Sequence, residues 1–189
     1  MKTAVFHEEK ATAMACFFLE RAAGKKLNDI KLMKLMYIAE RRALELYASP
    51  IAGDNYLSME HGPVLETTLQ LMRDERLGEI WDRHVSDMER FHSGGSQDVK
   101  LIEPISAAEV LSRAEVGVLE GVWDEFGHLT KWKLRDYCHD HFKEYDVRAE
   151  QLKTSIPLEL ETIFSALGDT EDVARAKAAD VAYYESIPL

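Results

Sequence analysis

Cysteine is nearly missing from this 189-residue chain. Cys16 and Cys138 stand alone, with no CxxC pair, which excludes a disulfide framework and a zinc ribbon. Long hydrophobic runs are missing too: the longest apolar cluster, residues 32–39, is interrupted by Lys34 and is too short to cross a bilayer. The opening stretch, Met1-Lys2-Thr3-Ala4-Val5-Phe6-His7-Glu8-Glu9, turns acidic at once and carries no secretory signal. A cytoplasmic protein is expected. Basic charge is scarce, with 23 Lys and Arg against 34 Asp and Glu and a net charge of −11. That makes a phosphate backbone a poor partner and a positively charged protein a better one. The 46% of hydrophobic residues excludes a disordered or collagen-like chain.

The usual signatures of catalysis are lacking as well. There is no GxSxG elbow, no GxxxxGK[ST] or GxGxxG phosphate loop and no HExxH. His139 and His141 lie two apart on a predicted helix and point away from each other, so they cannot share one metal ion. No metal, no cofactor and no enzymatic activity are expected from these residues.

What is present is helical periodicity. It predicts a first helix over 8–23, with Met14, Phe17 and Phe18 inward and Gly24 as its stop, and a second over 28–47 capped by Asn28 and ended by Ser49-Pro50. An extended stretch over 55–60 leads to His61-Gly62-Pro63, where Pro63 suits the first position of a helix reaching about residue 76. Residues 85–92 and 99–102 read as a hairpin closed by Ser93-Gly94-Gly95-Ser96. Ser112 and Glu115 form a capping box for a helix ending at Gly127, and Thr130 caps another through Phe142. Pro157 then opens a helix ended by Gly168, and a final helix runs to about residue 184. The expectation is a single domain over 1–189, mainly α with about seven helices and a small antiparallel sheet or hairpin.

The second helix can be laid out at about 100° per residue. Leu32, Met33, Leu35, Met36, Tyr37, Ala39, Ala43, Leu44, Leu46 and Tyr47 fill a broad apolar arc, so this helix is expected to be central. Two residues break the pattern. Glu40 falls inside the arc, where a carboxylate needs a buried partner or serves as a general base. Ile38 falls on the opposite face among Lys31, Lys34, Arg41, Arg42 and Glu45, an aliphatic ringed mainly by cations that suits the docking of a protein partner.

The order of these features resembles a known family. Lys31-Leu32-Met33-Lys34-Leu35-Met36-Tyr37, preceded by Phe17-Phe18-Leu19-Glu20, is similar to the KLxKLxY core of the SocA-like or Panacea antitoxin domain. Tyr56-Leu57-Ser58-Met59-Glu60-His61-Gly62-Pro63-Val64 resembles its extended segment ending in GPV. Leu111-Ser112, Glu115, Phe126-Gly127-His128-Leu129-Thr130, Leu134 and Cys138-His139 resemble its C-terminal stretch, and Ile156-Pro157-Leu158-Glu159 with Ala166-Leu167-Gly168 its closing helix. The resemblance spans about 10–168. It implies a stand-alone antitoxin that neutralises a protein toxin by direct binding. The alternatives are an adaptor delivering that toxin to a protease, or an enzyme built around Glu40 and a histidine. The resemblance marks Tyr37, Gly62, Pro63, Val64 and His139 as structural, and the apolar arc of the second helix adds Glu40. The expected toxin-facing surface is Lys31, Lys34, Ile38, Arg41 and Arg42 with the nearby Tyr56, Met59 and His61. An oligomer with itself or with the toxin is a further expectation.

Overall fold

The computed structural model describes residues 6–73, 78–87 and 97–184. Its elements are α1 (Glu8–Arg21), β1 (Lys26–Asn28), α2 (Asp29–Tyr47), β2 (Tyr56–Met59), β3 (Gly62–Leu65), α3 (Glu66–Met72), α4 (Trp81–His84), β4 (Val85–Asp87), β5 (Asp98–Leu101), α5 (Ala107–Val110), α6 (Arg113–Phe126), α7 (Lys131–His141), α8 (Arg148–Leu152), β6 (Ile156–Leu158), α9 (Leu160–Ala166) and α10 (Glu171–Tyr184). The fold is mainly helical, with two small antiparallel sheets ordered β1-β5-β4 and β3-β2-β6.

Local chemistry sets these boundaries. The Asn28 side chain accepts from Ile30 N at the start of α2, and Ala48 in the left-handed region closes its end. Ser112 and Glu115 form the expected capping box of α6, and the Thr130 side chain caps α7. Helix α2 is the central element, packed by α1, α6, α7, α9 and β3. Leu32, Leu35, Met36 and Ala39 have no exposed surface. Leu46 and Tyr47, placed in the apolar arc by angle, are exposed in the last turn of α2.

Both prolines expected to open helices lie in strands instead. Pro63 belongs to β3 opposite Ser58, and Pro157 to β6 opposite Leu57, each on an edge of the second sheet. A residue without an N–H is tolerated there, and its fixed φ is compatible with extended chain. Helices α3 and α9 begin three residues after each proline, at Glu66 and Leu160. Strand β4 pairs with β5 as the hairpin reading expects, while the Ser93–Ser96 turn lies outside the described residues, as does the end of the strand beyond Asp87. Strand β1, which completes that sheet, and the short helices α4, α5 and α8 had no sequence signal.

Candidate partner-binding site

Three of the stretches that carried the family resemblance meet around Gly62. Its φ of +92° is a left-handed conformation that side chains resist. A Cβ there would lie 3.1 Å from the His139 ring and 3.1 Å from Lys34 Nζ. Glycine thus lets an ammonium from α2 and an imidazole from α7 pack directly onto the β2–β3 turn. Lys34 Nζ donates to the Pro63 carbonyl at 2.6 Å. Burial pushes this ammonium, 1% exposed, down to about 8. Burial also lowers His139, whose ring stacks on Tyr145 at 4.4 Å between centroids. Its Nε2 is buried without a hydrogen-bond partner among the described residues. The chain after α7 is fastened to the same turn: Tyr145 Oη donates to the Met59 carbonyl and Asp146 N donates to Ser58 Oγ.

The charged face of α2 is covered, which corrects the expectation of an open stripe. Ile38 is 3% exposed and belongs to the core. Helices α6 and α7 pack over this face, and the cations reach past the aliphatic residue to partners on those segments. Lys31 Nζ donates to the Gly127 carbonyl at 2.6 Å, and Arg42 pairs with Glu125 at 2.6 Å. Arg41 pairs with the buried Glu144 at 2.6 Å, lies over the Phe142 ring, and shares that carboxylate with Tyr37 Oη. A carboxylate with so little solvent access needs both donors. Lys34 and Tyr56 are buried as well. An aliphatic side chain among cations therefore marks, in this helix, a surface paired internally.

Glu40 has no exposed surface and accepts from Ile51 N and Ala52 N at 2.8 and 2.6 Å. It ties the loop after α2 to the helix. Asp54 does the same one step later, accepting from Thr67 N, Thr68 N and Thr68 Oγ1 at the start of α3, which has no cap of its own. Sequence reasoning missed Asp54, because an acid twelve residues before a helix carries no local capping signature.

Of the expected contact residues, His61 is exposed and Met59 half-buried. His61 meets Trp132 edge-on at 6.1 Å. Trp132, 45% exposed, was also missed. Its signal was there to read: a lone tryptophan between Lys131 and Lys133, with Arg135 three residues on, in a polar helix. The Lys131 ammonium and the Arg135 guanidinium lie 4.9 and 5.0 Å from its ring. Next to this patch a cavity of about 180 Å³ opens between the start of α2, the β2–β3 turn and the end of α3. Met33, Met59, Val64 and Leu69 supply apolar walls, and Lys34 is among the residues that line it.

Among the described residues, no group of three or more His, Cys, Asp or Glu side chains is placed to hold a metal ion. Burial pushes the Cys16 and Cys138 thiols up to about 11 and about 12, which leaves both inert as nucleophiles. None of the described helices is long and apolar enough to cross a membrane. No curated protein and no solved structure matches the chain. A family model does, and it covers the helix, the turn and the α7 histidine that converge on Gly62: the chain belongs to the family described as antitoxin SocA-like, Panacea domain, matched over residues 32–143.

Proposed function

We propose that this protein is an antitoxin that neutralises a cognate protein toxin by binding it directly, with Trp132, His61 and Met59 at the contact. The observation that carries the reading is the exposed Trp132, held edge-on to His61 and flanked by Lys131 and Arg135. Tryptophan and arginine dominate the energetics of protein interfaces, where a rigid aromatic is desolvated at the centre and charges form the rim. Family membership supplies the class of partner. The net charge of −11 supports a basic toxin, such as one that acts on RNA or nucleotides, since opposite net charge speeds encounter.

The test is co-expression with the reading frame adjacent to the gene, followed by co-purification and a cell-survival assay. A toxic neighbour that co-purifies and is silenced supports the proposal. Trp132→Ala should then fold with unchanged circular dichroism and weaken the complex by about 2 kcal/mol or more, roughly 30-fold in Kd. An unaffected Kd removes Trp132 from the interface. Disappearance of the toxin on co-expression, restored in cells lacking the responsible protease, identifies the adaptor alternative instead.

A further inference from the structure

Lys34 is the most buried cation among the described residues, and no anion is paired with it among them. An ammonium has three N–H donors. Here one acceptor, the Pro63 carbonyl, is within hydrogen-bond distance, and no carboxylate of a described residue lies within ion-pair distance. Elsewhere on the same helix Arg41 has Glu144 and Arg42 has Glu125, while the half-buried Lys31 reaches the Gly127 carbonyl. A buried charge is retained at a cost unless it is paired. Lys34 also lines the 180 Å³ cavity, whose walls are the side chains of Met33, Met59, Val64 and Leu69. The rim carries Arg73 and His61 together with Asp29 and Glu60. Asp29 is engaged by the first turn of α2, where its carboxylate accepts from Ile30 N.

We infer that this cavity receives a carboxylate-bearing side chain of the bound toxin, with Lys34 as its counter-ion. Three observations select that occupant. The missing partner of Lys34 is an anion. The methionine and aliphatic walls suit the methylenes of an Asp or Glu rather than a bare inorganic ion. The cavity is continuous with the proposed contact surface, since Met59 and His61 belong to both. Burial of the carboxylate would satisfy the two remaining ammonium donors and fix the register of the complex. The inference rests on the antitoxin reading for its partner, and its chemistry is testable without one.

The first arm uses the full chain with ¹³C-methyl methionine. Met33 and Met59 report from the cavity, and Met14, Met36 and Met72 from elsewhere. Sodium propionate at constant ionic strength should shift the Met33 and Met59 methyls saturably and at least about tenfold more tightly than propionamide. Lys34→Met should abolish that preference. Equal response to the amide, no response, or shifts confined to other methionines overturns the site. The second arm measures toxin affinity. Lys34→Met should weaken the complex at least about tenfold. Leu69→Trp, which keeps Lys34 and fills the cavity, should do the same and stands in if Lys34→Met fails to fold. Full affinity in a folded variant overturns the toxin side chain as occupant. Absence of toxin binding by the unaltered protein overturns the antitoxin reading, and the propionate arm then decides the carboxylate site by itself.

Discussion

At the scale of single residues, Lys34 makes a measurable claim about pH. Its folded-state value of about 8 lies below the ordinary 10.5. Below pH 8 both folded and unfolded chains hold the proton, and the cost of burying the charge is fully present. Between pH 8 and 10.5 the unfolded chain binds more protons than the folded one, so stability from this group rises with pH. Neighbouring groups act the other way in this window: folding holds the Cys138 thiol and the Tyr145 phenol protonated up to about 12, whereas the unfolded chain releases those protons sooner. The Lys34 contribution is therefore read as the difference from Lys34→Met. Denaturant unfolding across that range should show the native protein gaining about 3 kcal/mol relative to Lys34→Met. Parallel curves for the two proteins would mean that Lys34 already has a counter-ion.

At the scale of elements, helix α3 depends on a residue outside it. Asp54 is 2% exposed and supplies the acceptors that a cap would have supplied. Asp54→Ala leaves two buried helical N–H groups and the Thr68 hydroxyl without it, so a loss of about 2–4 kcal/mol is expected in chemical unfolding, with hydrogen exchange rising first over residues 66–72. A change below about 0.5 kcal/mol would show that water replaces it. The same element explains what was legible. Caps, capping boxes and the buried arc of α2 are local or periodic, and they could be read from Asn28, Ser112, Glu115 and Thr130. Which neighbour covers a helix face is not local. The angular map placed Ile38 correctly among cations but could not see that Glu125 and Glu144, some hundred residues on, arrive to pair with them. Pro63 and Pro157 misled for the same reason: the strand that each joins is made by a distant partner, β2. Around Gly62 the family-like stretches converge in space, whereas Asp54 acts through contacts that no short motif encodes.

At the scale of the molecule, the charge of −11 and the cation-flanked Trp132 patch act at different ranges. On the proposed reading, the global field would govern encounter with a basic partner, while the patch and the cavity would govern what happens after contact. Raising salt from about 0.05 to 0.5 M should slow association by about tenfold or more and leave dissociation nearly unchanged. A salt-independent association rate would show that the partner is not basic. Dissociation should respond instead to Trp132→Ala, which leaves net charge untouched.

The second sheet also sets a clock. Leu57 pairs with Pro157, and the turn before Gly62 is fastened by Tyr145 and Asp146. The β2–β3 hairpin is complete as soon as residue 65 leaves the ribosome, but its outer neighbour is made a hundred residues later. At ordinary rates of synthesis that gap lasts about 5–20 s. Throughout it, Lys34 and Gly62 are already made while the strand that completes the sheet is not, and the α7 imidazole arrives only in its later part. If the proposed antitoxin reading holds, a nascent chain has no finished site to offer, and protection should lag production by at least this interval. Where toxin and antitoxin are translated together, the antitoxin would need to be made first or in excess.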